Sequence, residues 1–207
     1  MKIRALFFDL GGVYYSEGFR EGLFTIARRF GLDEEEFYRM ASDLVFSSGY
    51  VCGSIQERLY WKQLSSLAGT DHSLLESRGE ILNAFKPLDG MPELVRRVRT
   101  TTQVALLTDQ TNWLYELDER DNLFTQFDEV ISSYEEGFSK RDMELFRIAC
   151  ERCNILPEEG IFFDDNPENV RRASEFGLTA YIFEQAQTTE DILISAGVTE
   201  IANGGSE

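Results

Sequence analysis

A chain of 207 residues, 43% hydrophobic and 28% charged, has the length and composition of a soluble globular protein with one substantial core, which excludes a disordered chain. Its 37 acidic against 20 basic residues give a formal net charge of -17, and a field of that sign repels nucleic acid and anionic lipid, so neither is an expected partner. The same field opposes an anionic substrate, so any phosphate site must carry local positive charge of its own.

The opening Met1-Lys2-Ile3-Arg4 leads into an apolar run that stops at Asp9, too short for a signal peptide or a membrane span. Ile3–Asp9 reads as a buried parallel strand ended by Gly11-Gly12. From Ser16 to Phe85 the spacing turns helical. Leu23, Ile26, Ala27 and Phe30 form one stripe, Phe37, Met40, Ala41 and Leu44 a second, and Ile55, Leu59, Leu64 and Leu67 a third. Leu74, Leu75, Ile81, Leu82 and Phe85 close the block, and Gly31, Gly53 and Gly69 punctuate it, as in a small insert of four helices. Within it, Asp33-Glu34-Glu35-Glu36 is a charged helix start, and Phe37, Phe46 and Trp61 are expected to fill the insert's core.

After Pro87, strand and helix alternate. Met91–Val98 is helical, Val104–Leu107 a strand, Phe127–Ser132 a strand, Glu144–Cys153 a helix, Gly160–Asp164 a strand, Pro167–Phe176 a helix and Thr179–Phe183 a last strand. This alternation predicts an α/β fold, a doubly wound parallel sheet, with residues 1–15 and 86–207 as the core and 16–85 as a helical insert. Three cysteines do not describe a disulfide framework, and Cys150 and Cys153 read as ordinary buried thiols inside a helix, so the cytoplasm is the expected location.

In such sheets ligands gather at the carboxyl ends of the strands. That is where Asp9, Thr108, Asp109, Asp164 and Asp165 fall. Two carboxylates about 4 Å apart repel by roughly 4 kcal/mol at an effective dielectric of 20, so Asp9, Asp164 and Asp165 need a cation among them. Hard oxygen donors without His or Cys select Mg2+ over zinc. One carboxylate would stay free to attack phosphorus, with the hydroxyl of Thr108 and the ammonium of Lys140 on the other phosphate oxygens. The lone histidine, His72, sits in the insert, which leaves no Ser-His-Asp or Cys-His arrangement.

The string Phe7-Phe8-Asp9-Leu10-Gly11-Gly12-Val13 resembles the first motif of the haloacid dehalogenase (HAD) superfamily. Leu106-Leu107-Thr108-Asp109 is similar to its second motif, Lys140 to its third, and Phe162-Phe163-Asp164-Asp165-Asn166-Pro167 to its fourth, in the right order. Gly53-Ser54-Ile55 followed by Trp61 is similar to a cap segment in the branch related to sugar-phosphate phosphatases and the phosphatase domain of soluble epoxide hydrolase. The resemblance implies a Rossmann-like core with a helical cap, and a Mg2+-dependent phosphatase of a small phosphorylated metabolite; a monomer and a homodimer both stay open. It implies that Asp9 forms an aspartyl-phosphate and that Thr108 and Lys140 grip the phosphoryl oxygens. Asp9, the Gly11 carbonyl, Asp164 and Asp165 would hold the metal, and Gly12, Asp109, Asn112 and Trp113 would line the substrate pocket.

Three positions depart from the family's pattern. Gly11 stands where phosphatases of the family carry the general acid, Asp109 replaces an Asn, and Arg141 replaces a Pro. The alternatives are therefore a metal-independent 2-haloacid dehalogenase, or a weakened member that binds a phosphorylated ligand without efficient turnover.

Overall fold

The computed structural model describes residues 2–70 and 74–198, so His72 lies outside the described residues. Among the described residues one five-stranded sheet forms, all parallel, in the order β3-β2-β1-β4-β5. The strands are β1 (Ala5–Phe8), β2 (Gln103–Thr108), β3 (Glu129–Ser132), β4 (Gly160–Asp164) and β5 (Thr179–Ile182). This is the doubly wound sheet that the alternating pattern predicts. β1 is central because Ala5-Leu6-Phe7-Phe8 is apolar on both faces, and all four residues are fully buried.

The two faces of the sheet carry separate cores. Leu6, Phe8, Leu106 and Phe163 pack under the insert and α5 (Met91–Val98), whereas Phe7, Leu107 and Phe162 pack on α8 (Met143–Arg152) and α9 (Pro167–Phe176). A row of stacked rings crosses three strands on the first face, with centroids 5.3 Å apart for Phe8–Phe163 and 5.7 Å for Phe163–Tyr181. Cys150 and Cys153 are buried free thiols on the second face, and burial pushes both thiols up to about 12, so they are the inert residues expected.

Between β1 and α5 the chain builds α1 (Gly18–Phe30), α2 (Glu34–Ser47), α3 (Glu57–Leu67) and α4 (Arg78–Ala84). Asp33 caps α2 by accepting the Glu36 N–H at 2.8 Å, which explains the acidic run there. The two crossings into this block run side by side: Ser16 N donates to Lys86 O at 2.8 Å and Leu88 N to Tyr14 O at 2.9 Å. α1 rests on α4 at Gly22, where an added Cβ would stand 2.3 Å from the Ile81 Cα, a backbone atom that cannot step aside. Gly22→Ala is therefore expected to destabilise the protein by about 1–3 kcal/mol, outweighing the roughly 1 kcal/mol that alanine gains in helix propensity. A urea midpoint at or above the wild-type value would contradict this packing.

Three helices have no counterpart in the sequence reading: α6 (Trp113–Asp121), α7 (Ser133–Glu136) and α10 (Ala186–Ser195). α6 carries a solvated face of Glu116, Glu119 and Arg120 and buries only Trp113, Leu114 and Leu117, too narrow a stripe to announce a helix.

Candidate active site

Register brings the polar residues together. Phe8 pairs with Leu106 on one side and Phe163 on the other, so the next residues along each strand, Asp9 and Asp164, emerge level with one another at the carboxyl edge. The Asp9 N–H continues the ladder to the Phe163 carbonyl at 3.0 Å. Thr108, the last residue of β2, reaches the same edge and is buried. β1 lies where the chain order reverses, since β2 and β3 fall on one side of it and β4 and β5 on the other. A sheet opens a crevice at such a point.

Lys140 arrives from the loop after α7 and is fully buried. Its Nζ lies 2.7 Å from Asp9 Oδ1 and 2.7 Å from Asp164 Oδ2, the length of a charge-assisted bond. Burial alone would favour the neutral amine, but Asp164, Asp9 and Asp109 reverse that and raise its pKa. Asp109 Oδ1 accepts the Lys140 N–H at 2.9 Å and so fixes the loop that delivers the lysine. Burial raises the Asp109 carboxyl. Asn169 Nδ2 donates to both oxygens of Asp164, at 3.2 and 3.1 Å, and the Asn166 N–H donates to Oδ1 at 2.8 Å. Asn166 also caps α9 by accepting the Glu168 N–H, whereas Asn169 orients Asp164.

The acids crowd as predicted. Asp9, Asp164 and Asp165 each offer an oxygen, and these oxygens lie within 4.8 Å of one another. Burial, reinforced by Asp164 and Asp165 and opposed by Lys140, pushes the Asp9 carboxyl up to about 8. Burial, the charge of Asp164 and a hydrogen bond with Glu17 push Asp165 up to about 7. One ammonium does not balance this many carboxylates, and the donor set is all oxygen, so the residues present fit a hard divalent cation.

Gly12 has φ +75°, and an added Cβ would stand 2.1 Å from Asp165 Oδ2. Its part is to make room for Asp165, and it does not stand in the cavity wall where a substrate contact is expected of it. Gly11 does line the cavity, and an added Cβ there would meet only Phe85 Cε1 at 3.8 Å.

Above the acids opens a cavity of about 460 Å³, walled by Asp9, Thr108, Asp109 and Asp165 from the core and by Phe19, Tyr38 and Phe46 from the insert. Trp113 lines it. Asn112 does not: its side chain accepts from the Tyr50 hydroxyl at 2.6 Å and donates to Glu57 at 3.1 Å, so it ties α6 to the insert instead. Glu57, which sequence reasoning missed, is the centre of that tie. It accepts from Trp113 Nε1 at 2.7 Å, Trp61 Nε1 at 3.1 Å and Arg78 Nε at 2.6 Å, and Arg78 is paired in turn with Glu116. Burial works against the Glu57 carboxylate, yet these donors lower its pKa below the usual range. Phe37 and Trp61 are buried in the insert as predicted, but Phe46 is half-buried and faces the cavity.

A family model described as haloacid dehalogenase-like hydrolase matches residues 3–177. Among curated proteins the chain is similar to acyl-CoA dehydrogenase family member 10 of Mus musculus, 33% identical over 63 residues, which is 30% of this chain and 6% of that protein. It is also similar to the chloroplastic flavin mononucleotide hydrolase 1 of Arabidopsis thaliana, 25% identical over 131 residues, 63% of this chain and 54% of that one. The chain thus spans about half the length, or far less, of these curated relatives. Among solved structures, a HAD family enzyme of Bacteroides thetaiotaomicron superposes with a TM-score of 0.73 at 21% identity, covering 93% of this chain and 99% of that one. The wild-type form of that enzyme in complex with magnesium and inorganic phosphate superposes at 0.68, with 21% identity and coverage of 88% and 95%.

Proposed function

We propose that this chain, which belongs to the haloacid dehalogenase-like hydrolases, is a Mg2+-dependent phosphatase of a small phosphorylated metabolite, with Asp9 as its nucleophile. The observation that carries the reading is the buried Lys140 ammonium joining Asp9 to Asp164 under a cavity that also exposes Thr108. The flavin mononucleotide hydrolase relative and the magnesium-phosphate complex of the Bacteroides enzyme support it.

In this reading Lys140 and the Leu10 N–H hold Asp9 Oδ1, which leaves Oδ2 to attack phosphorus. The P–O bond to the leaving group breaks as the bond to Asp9 forms, and water then cleaves the aspartyl-phosphate to inorganic phosphate. Thr108 and Lys140 bind phosphoryl oxygens through their hydroxyl and ammonium. Asp9, Asp164, Asp165 and the Gly11 carbonyl would hold Mg2+, which when bound supplies charge neutralisation at the phosphoryl group. Residues 16–85 act as a cap that excludes water and selects the leaving group. No helix among the described residues is long and apolar enough to cross a membrane.

The test is release of inorganic phosphate from a panel of phosphate monoesters, with Mg2+ and with EDTA. Phosphate release that survives EDTA would overturn the metal dependence, and halide release from 2-haloacids would favour the dehalogenase reading that Gly11 keeps open. Burst labelling of Asp9 without steady turnover would favour a weakened, phosphate-binding member. Because Gly11 has room for a side chain, Gly11→Asp is expected to restore proton transfer and raise kcat for alkyl phosphates by about 10²-fold, the lower end of the 10²–10⁴-fold range of general acid catalysis. Phenyl phosphates, whose leaving groups need less help, should gain little. Equal gains for both classes would refute the missing-acid explanation.

A further inference from the structure

Arg141 follows Lys140 directly, and the hydrolytic chemistry leaves it unused. Its guanidinium carbon lies 3.6 Å from the centre of the Phe46 ring, near the end of α2, and both residues line the cavity with Asp9 and Thr108. A cation from the core and a ring from the insert thus meet across the opening. Among the described residues no carboxylate stands within ion-pair distance of Arg141, although carboxylates outnumber cations in this chain by 37 to 20. Arg20, which also lines the cavity, differs: it lies over Phe24 and Tyr38 and is paired with Glu35 at 2.7 Å.

A guanidinium held against a ring keeps its in-plane N–H donors at its edges, and that fork matches a carboxylate or phosphate in two parallel bonds. The cavity, at about 460 Å³, has space for more than a phosphoryl group. In a molecule whose overall field repels anions, a cation beside the reacting centre with no carboxylate at ion-pair distance is a means of holding one. We propose that Arg141, oriented by Phe46, forms a second anion subsite, and that the natural substrate is a phosphate monoester whose leaving group carries a carboxylate or a second phosphate. This deepens the phosphatase reading of the same site and rests on it.

The experiment compares propyl phosphate with two partners that add one anionic group at the far end, 3-phosphonooxypropanoate and propane-1,3-diyl bisphosphate. All three are assayed with Mg2+ on the wild type, Arg141→Gln and Arg141→Lys. The wild type is expected to favour at least one partner with the added anionic group over propyl phosphate by about 10–100-fold in kcat/KM, the scale of a hydrogen bond to a charged group. The preferred arm identifies the anion as carboxylate or phosphate. In Arg141→Gln that ratio should collapse towards one through a rise in KM for the preferred partner, and Arg141→Lys should recover part of it. Calorimetric binding of 3-phosphonopropionate against propylphosphonate asks the same question without turnover. No preference in the wild type, or a ratio that survives Arg141→Gln, overturns the subsite. A binding preference that is present and arginine-dependent while none of the esters is hydrolysed would instead overturn the phosphatase reading alone.

Discussion

Asp9→Asn is expected to reduce phosphate release by at least about 10³-fold, because an amide cannot form the aspartyl-phosphate on which turnover depends. The substitution keeps shape and volume, and the amide oxygen still accepts from Lys140 and the Leu10 N–H, so loss of activity reports chemistry and not collapse. Stability should move the other way. In the metal-free protein the Asp9 carboxyl is pushed up to about 8, by burial first and then by Asp164 and Asp165. The folded state therefore binds more protons than the unfolded chain between the ordinary aspartate value of about 4 and about 8, and stability falls as pH rises across that window. Asp9→Asn removes the titrating group and should flatten the fall. Melting in EDTA at pH 5 and pH 8 checks this: the wild type should lose Tm between the two, and the variant should lose less. Mg2+ should restore the wild type most at pH 8, where the carboxylates repel most strongly. Undiminished turnover in the variant, or parallel pH slopes for both proteins, would remove Asp9 from its assigned place.

Much of this site could be read from residue order because its parts sit at strand ends. A buried strand is a short apolar run, and the polar residue that stops it marks the sheet's carboxyl edge. Gly160–Asp164 and the helix Pro167–Phe176 have the predicted bounds, since an apolar run, a proline and Gly177 delimit them without help from tertiary packing. Asp9, Thr108 and Asp164 follow from the same rule. What depended on the insert was hidden. Phe46 has the spacing of a core residue, and nothing local says that its ring meets a guanidinium 95 positions away in sequence, since helical period gives a face but not its partner. Glu57 looks like any exposed acid at a helix start, yet two tryptophans, Asn112 and Arg78 converge on it. Asn112 stands just after the second motif, a place that points to the pocket, yet Tyr50 and Glu57 occupy its amide.

Lys140→Met should combine the loss of activity with a loss of fold stability, which distinguishes it from Asp9→Asn. The side chain is fully buried, and its ammonium bonds Asp9 and Asp164 at 2.7 Å each while its backbone N–H serves Asp109. A methionine of similar length fills the space and leaves those carboxylates facing one another without a cation. Breaking a buried charge cluster by removing one partner costs about 3–5 kcal/mol, and losing a donor to the phosphoryl group costs about 10²–10³-fold in kcat. The two effects should separate with conditions. Lowering the pH from 8 to 5 protonates the abandoned carboxylates, whose folded-state values are already raised at Asp9 and Asp109 and rise further without Lys140. The stability deficit should therefore be largest at pH 8 and shrink at pH 5, the sign required when the folded state binds the extra protons. Mg2+ at pH 8 should recover part of the urea midpoint, since a divalent cation can neutralise the same oxygens, while leaving kcat low because no ammonium remains to hold the phosphoryl group. A Lys140→Met protein as stable as the wild type in EDTA at pH 8 would mean that the ammonium does not balance these acids, and the coupling that links Asp9 to Asp164 would have to be abandoned.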